Sequence, residues 1–237
     1  MINIHFNHSL VKKELTSNIR RFINLTKSKP ITDRQFTYVV NHVLIPQLLY
    51  KMRNTPLSQS TCVKLNQSIR NLFKHKCCFP KTAPNVVFHS KMFYNLSDLW
   101  TEQLAEIATL LLNQFNTSLT LLFNVSVIRL FRLQQLELGP TSPLVCWNPL
   151  HEFSHYRYNH IAAQLYLIKQ SNMRITFRCN LFLFNTILGG SKALIDIMPQ
   201  QFLRKYSNIL NKYNLLYQEQ IITVHGSSLC TWSQFMK

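Results

Sequence analysis

Four glycines in 237 residues, at Gly139, Gly189, Gly190 and Gly226, leave this chain few places for the tight turns that a many-stranded sandwich or barrel needs. Helices are the architecture open to it, and apolar side chains recur along most of its length at the three- and four-residue steps that helices require. With 46% apolar residues the chain carries enough hydrophobic surface for one large domain or two small ones. The expected fold is mainly α: a basic helical bundle over residues 1–85, a second helical region over 86–237, and a short C-terminal hairpin.

The periodicity places the elements. Val11, Leu15, Ile19, Phe22 and Ile23 share one face of a first helix between His8 and Ser28, with Lys12, Lys13, Arg20 and Arg21 largely off that face. Pro30 ends it, and Thr32 and Asp33 suit the N-cap of a second helix running through Phe36, Val39, Val40, Val43 and Leu44. Pro46 falls inside the same pattern, which continues through Leu49, Tyr50 and Met52, so the sequence allows a kink or a break there. A third helix starts near Ser58 or Ser60 and runs to about Lys76, burying Val63, Leu65, Ile69, Leu72 and Phe73. Residues 77–85 hold Pro80 and Pro84 without a helical period and read as a connector between subdomains. Further helices are expected from Ser97 or Asp98 through Leu112, over 118–138 ending at Gly139 and Pro140, and over 155–171, 179–188 and 199–214. Ile221–Val224 and Leu229–Trp232 read as the two arms of the hairpin.

Charge is divided unevenly along this framework. Fifteen of the 26 Lys and Arg residues lie in the first 91 positions, where the only acids are Glu14 and Asp33, a net of +13 out of +17 for the chain. A field of one sign over a third of a molecule attracts polyanions, with nucleic acid the leading partner and an anionic membrane the lesser one. The bland counterpart is a solvated surface that merely keeps the chain soluble. The longest apolar runs, such as Leu119–Phe123 and Leu181–Phe184, fall far short of the roughly 20 residues of a membrane helix. Six cysteines without regular spacing in so long a chain read as reduced intracellular thiols, and the adjacent Cys77 and Cys78 as buried side chains.

Signals for catalysis are sparse. His151, Glu152 and His155 form an HExxH string, which on a helix places two imidazoles on one face to hold zinc with the glutamate as general base. No third ligand follows at the expected spacing: His160 falls one position short and Tyr158 stands where a glycine belongs. Asp33, Asp98 and Asp196 are scattered, so no close carboxylate pair is available for two-metal chemistry on phosphates. The chain offers no phosphate-cradling glycine loop and no nucleophile elbow, and it implies no cofactor. What stands out is a set of cations near helix ends and connectors: Lys27, Lys29, Arg34, Lys51, Arg53, Arg70, Lys74, Lys76 and Lys81, from which long side chains reach phosphates without reading bases. Tyr38, Tyr50 and Phe73 occupy apolar helical positions and are expected in the core in preference to stacking on bases.

The segment from Ile31 to His89, with Tyr38, Val43, Leu44, Ile45, Pro46, Tyr50, Leu57, Cys62, Lys74, Lys76, Thr82, Pro84 and Asn85 at the matching positions, resembles the thumb of non-LTR (LINE-like) retrotransposon reverse transcriptases. The stretch Tyr94–Asn116 is similar to the helix continuing that region, and the terminal VHGSSLCTWSQF to an element beyond the thumb. The resemblance implies a thumb-and-connector fragment of an RNA-directed DNA polymerase that grips an RNA/DNA hybrid along its backbone. It also implies a palm domain, with its Asp-Asp motif, encoded upstream of Met1, so that this chain alone is catalytically inactive. An intracellular location follows, nuclear for a retroelement. The alternatives are a helical interaction module or decayed retroelement remnant without activity, and, behind these, an HExxH zinc hydrolase.

Overall fold

A computed structural model describes residues 8–117, 119–145, 147–156, 159–176 and 187–222. The expected helix over 179–188, all but its last two residues, and most of the C-terminal hairpin lie outside them. The described residues are mainly α-helical, with no strand among them, and an antiparallel bridge pairs Ala193 with Tyr217. Two compact units divide the chain, Met1–Leu110 and Leu111–Lys237.

The first unit opens with α1 (His8–Lys27), which buries Leu15 and Ile19. α2 (Asp33–Val39) begins in a capping box: the Thr32 hydroxyl accepts from the Gln35 N–H at 3.2 Å, and Gln35 Oε1 accepts from the Thr32 N–H at 3.0 Å. The helix passes through Pro46 without a break. A π turn over Val40–Leu44 carries it into α3 (Ile45–Met52), with the Ile45 N–H bonded five residues back to the Val40 carbonyl. Phe36, Val40, Leu44, Leu48 and Met52 are all buried, a strict four-residue repeat. In a regular α-helix each such step drifts by about 40°, which would carry Met52 round to nearly the opposite side from Phe36. The unwinding of the π turn takes up that drift, keeps the stripe on the core, and turns Val43 out to 52% exposure against the sequence expectation.

α4 (Gln59–Lys76) buries Cys62, Leu65, Ile69, Leu72 and Phe73, while Val63, expected inside, is 44% exposed. α4 ends on Cys77, and Cys78 takes a left-handed conformation at φ 54°. The pair is therefore not buried as expected: Cys78 is exposed and Cys77 half-buried, and with Cys62 both are free thiols. Burial, then Asp98, pushes the Cys62 thiol up to about 12.

Residues 77–84 lie within the first unit. Lys74 Nζ donates to the carbonyls of Lys81 and Ala83, both at 2.8 Å, and pins the connector to α4. The short α5 (Asn85–His89) then buries Phe88 in an edge-to-face aromatic cluster, 5.5 Å from Phe73 and 5.4 Å from Phe79. Phe36 and Tyr94 also pack on Phe73, at 5.4 and 5.0 Å, so α2, α4, α5 and the turn at 90–95 meet on one ring. The sequence boundary expected at 85/86 thus falls inside the first unit. α6 (Leu99–Asn116) starts with Asp98 accepting from the Thr101 N–H at 3.1 Å, and within the first unit its buried Gln103 bridges the N–H and carbonyl of Leu57, both at 2.9 Å.

In the second unit α7 (Thr120–Leu136) ends with Leu138, not Gly139, in the left-handed position, and the Gly139 N–H closes on the Gln134 carbonyl at 3.0 Å. Buried Glu137 follows. It accepts from the Leu150 N–H at 2.8 Å, the Tyr156 hydroxyl at 2.8 Å and Trp147 Nε1 at 3.4 Å. Around this hub lie α8 (Phe153–Tyr156), α9 (His160–Gln170), α10 (Leu194–Ile197) and α11 (Gln200–Lys212). Leu138, Leu150, Leu194, Leu203, Leu210 and Tyr217 form a shared core.

Candidate nucleic-acid interface

The cations singled out from the sequence fall into two groups. Five are engaged within the fold. Lys51 pairs with Glu14 and Arg53 with Glu106, the latter at 3.5 Å. Lys74 holds the connector and lies 5.4 Å from the centre of the Phe88 ring; Lys76 Nζ donates to the Lys29 carbonyl at 2.7 Å. Arg70 is half-buried, reaches the Val63 carbonyl at 3.4 Å, and is lowered from its ordinary value by burial, with Asp98 opposing. The other four, Lys27, Lys29, Arg34 and Lys81, are exposed. Lys27 closes α1, and the Lys76 contact draws the end of α4 to the 28–30 turn that follows it.

Sequence reasoning passed over a stronger feature on α1. Ser9, Lys12, Lys13, Thr16, Ser17 and Arg20 line one shallow groove of about 530 Å³ along a single face of the helix. The three cations are exposed, and hydroxyl-bearing residues alternate with them at three- and four-residue spacing. The only acid of α1, Glu14, is not on that lining and is occupied by Lys51. Hydroxyls and cations on one helix face are the donors that contact phosphate and sugar oxygens. The signal was present in the sequence as the polar complement of the Leu15 and Ile19 stripe, on which Lys12, Lys13 and Arg20 fall together with Ser9, Thr16 and Ser17.

A second concavity, about 480 Å³, lies between α2 with its π turn and the 90–95 turn. Arg34 lines it together with Tyr38, Asn41, His42 and Phe93. Tyr38 and Tyr50 were expected in the core. They are 63% and 79% exposed, because each stands two residues from buried neighbours, Tyr38 between Phe36 and Val40 and Tyr50 between Leu48 and Met52, and so falls on the opposite helix face; Phe73 is fully buried as expected.

Asp98 caps α6 and accepts from Asn66 Nδ2 at 2.5 Å, Asp33 accepts from the Arg34 N–H at 2.8 Å, and Asp196 lies exposed on α10 in the other unit. The HExxH string does not form the helical pair expected of a zinc site. α8 begins only at Phe153, so His151 precedes the helix and its ring stacks on His155, with centroids 4.1 Å apart and planes 28° apart. Nearly parallel imidazoles aim their lone pairs side by side, whereas a tetrahedral metal needs them to converge. Among the described residues no third His, Cys, Asp or Glu joins them. Burial first, then His155, holds His151 below its ordinary value. The neighbouring Tyr156 phenol is raised by burial and by Glu137, which fixes it as a donor to that carboxylate.

Among the described residues no helix is long and apolar enough to cross a membrane. Comparison with protein-family models, curated proteins and solved structures finds no match to the chain.

Proposed function

We propose that the first unit is a nucleic-acid-binding module that grips a duplex, in the first instance an RNA/DNA hybrid, through its phosphate backbone and performs no chemistry of its own. The observation that carries the reading is the cationic face of α1: Lys12, Lys13 and Arg20 exposed in one groove with Ser9, Thr16 and Ser17, on the most basic third of the chain. Lys27, Lys29, Arg34 and Lys81 extend the exposed positive surface, while Lys51, Arg53, Arg70, Lys74 and Lys76 hold the fold that presents it. The thumb-like pattern over residues 31–89 supports the same role, that of a grip behind the active site of a non-LTR reverse transcriptase whose palm this chain does not carry. Separated, locally engaged aspartates are consistent with a chain that binds but does not polymerise. The test is binding of the full chain to an RNA/DNA hybrid at low salt. Tight binding is expected, and absence of binding refutes the reading.

A second reading, a helical interaction module, is favoured by one observation in the second unit: Leu121, Val125, Ile128 and Leu136 on α7 are between 37% and 78% exposed. It predicts that replacing Leu121 and Ile128 by Ser abolishes partner binding, and that neutralising Lys12, Lys13 and Arg20 leaves it intact.

A further inference from the structure

The cleft between α2 and the 90–95 turn has the make-up of a stacking site. Tyr38 and Phe93, 63% and 67% exposed, both line it. His42, on the π turn, lies against Tyr38 with ring centroids 4.6 Å apart and planes tilted by 41°. Arg34 contributes an exposed guanidinium, and the carboxylate of Asp33 is turned onto the Arg34 N–H at 2.8 Å.

The walls are held in place before any ligand arrives. Asn41, also on the π turn, donates from Nδ2 to the Asn95 carbonyl at 2.7 Å and accepts from the Ser97 N–H at 2.8 Å, which staples the helix to the facing turn. That turn is closed by the N–H groups of Phe93 and Asn95 on the Ser90 carbonyl, at 3.1 and 3.0 Å, with Asn95 in the left-handed region at φ 50°. Its Tyr94 is anchored on Phe73 and Phe79, so Phe93 is presented outward from a fixed base. A π turn placed at a pre-formed concavity is itself a feature frequent at functional sites.

We infer that this cleft takes an unpaired nucleobase, stacked on Tyr38 and Phe93, with Arg34 reaching the adjoining phosphate. The inference rests on the proposal that the unit binds nucleic acid, and adds to it a strand end or flipped-out base that backbone contacts alone do not capture. Because both polar ends of the Asn41 amide are engaged within the fold, recognition comes from stacking and is tolerant of base identity. The lining includes Asp33 beside Arg34, His42 and Asn41, and with the Asp33 carboxylate held on the Arg34 N–H the cleft, within a +13 region, suits a nucleotide better than an apolar side chain of a protein partner.

The test compares three fluorescently labelled RNA/DNA hybrids: one blunt, one with a short single-stranded extension, and one with the same extension made abasic, so that the last two carry equal charge. The intact extension is expected to bind about ten-fold more tightly than the abasic one. Tyr38→Ala and Phe93→Ala are expected to erase that difference and leave blunt-hybrid affinity unchanged, while Tyr38→Phe retains it. Equal affinity for the intact and abasic extensions, or a difference that survives both alanine variants, overturns the inference while blunt-hybrid binding keeps the backbone reading. Failure to bind any of the three removes both. A tryptophan-containing peptide that displaces the intact extension at lower concentration than a free nucleotide overturns the inference in favour of a protein partner.

Discussion

At the scale of single residues, buried polar groups carry the most pointed consequences. The Gln103 amide satisfies both the N–H and the carbonyl of Leu57 inside the first unit, so Gln103→Leu leaves two buried backbone groups without partners. At about 1–3 kcal/mol for each such group, the variant should lose roughly 2–6 kcal/mol, read as a lowered denaturation midpoint with an unchanged slope. In the second unit the pointed case is an exposed residue, Glu219. The Ser191 hydroxyl, then the Ser191 N–H, holds its carboxyl down to about 2 from an ordinary 4.5. A depressed carboxyl favours the folded state fully above the unfolded value, so this contribution is intact above about 4.5 and fades as pH falls toward 2. Urea midpoints measured across that window should decline less steeply in Glu219→Gln than in the parent. Gly190 belongs to the same contact, since a Cβ there would approach Tyr217 Cβ to 2.7 Å as well as striking the Glu219 carboxylate. Gly190→Ala is therefore expected to destabilise the second unit at neutral pH, where Glu219→Gln leaves the backbone unstrained.

At the scale of elements, α1, α4, α7 and α11 were legible because each carries an unbroken apolar period between recognisable ends, such as Pro30 after α1 and Gly139 after α7. Two short helices, α5 and α10, were not, since four or five residues hold too little period to register and are fixed by tertiary contacts of Phe88 and Leu194. The π turn was the costliest omission for function. Pro46 announced an irregularity, but not its resolution as a π turn, which places Val43 outward, whereas Tyr38 and Tyr50 face out by ordinary helical spacing from Phe36, Val40, Leu48 and Met52. Asn41 ties that turn to Asn95 and Ser97, so Asn41→Ala should cost about 1–3 kcal/mol. Hydrogen exchange is the measurement that checks the mechanism: faster exchange is expected at 90–97, with α4 unaffected.

At the scale of the whole molecule, the sequence concentrates positive charge in the first third of the chain without showing how the fold distributes it. Which cations the fold engages depends on partners distant in sequence, such as Glu14 for Lys51, Glu106 for Arg53 and the Lys29 carbonyl for Lys76. No local pattern encodes those pairings, whereas the α1 face follows from helical spacing alone. The outcome shifts the proposed grip from the end of α4 toward α1 and Arg34. The measurement that tests this most directly is the affinity of the full chain for a blunt RNA/DNA hybrid across a salt series, for the parent, for Lys12→Gln/Lys13→Gln/Arg20→Gln, and for Lys74→Gln. The account predicts a steep linear fall of log affinity with log salt in the parent, a slope shallower by about two to three in the triple variant, and an unchanged slope in Lys74→Gln. A parent that fails to bind at low salt, or a triple variant with the parental slope, contradicts it.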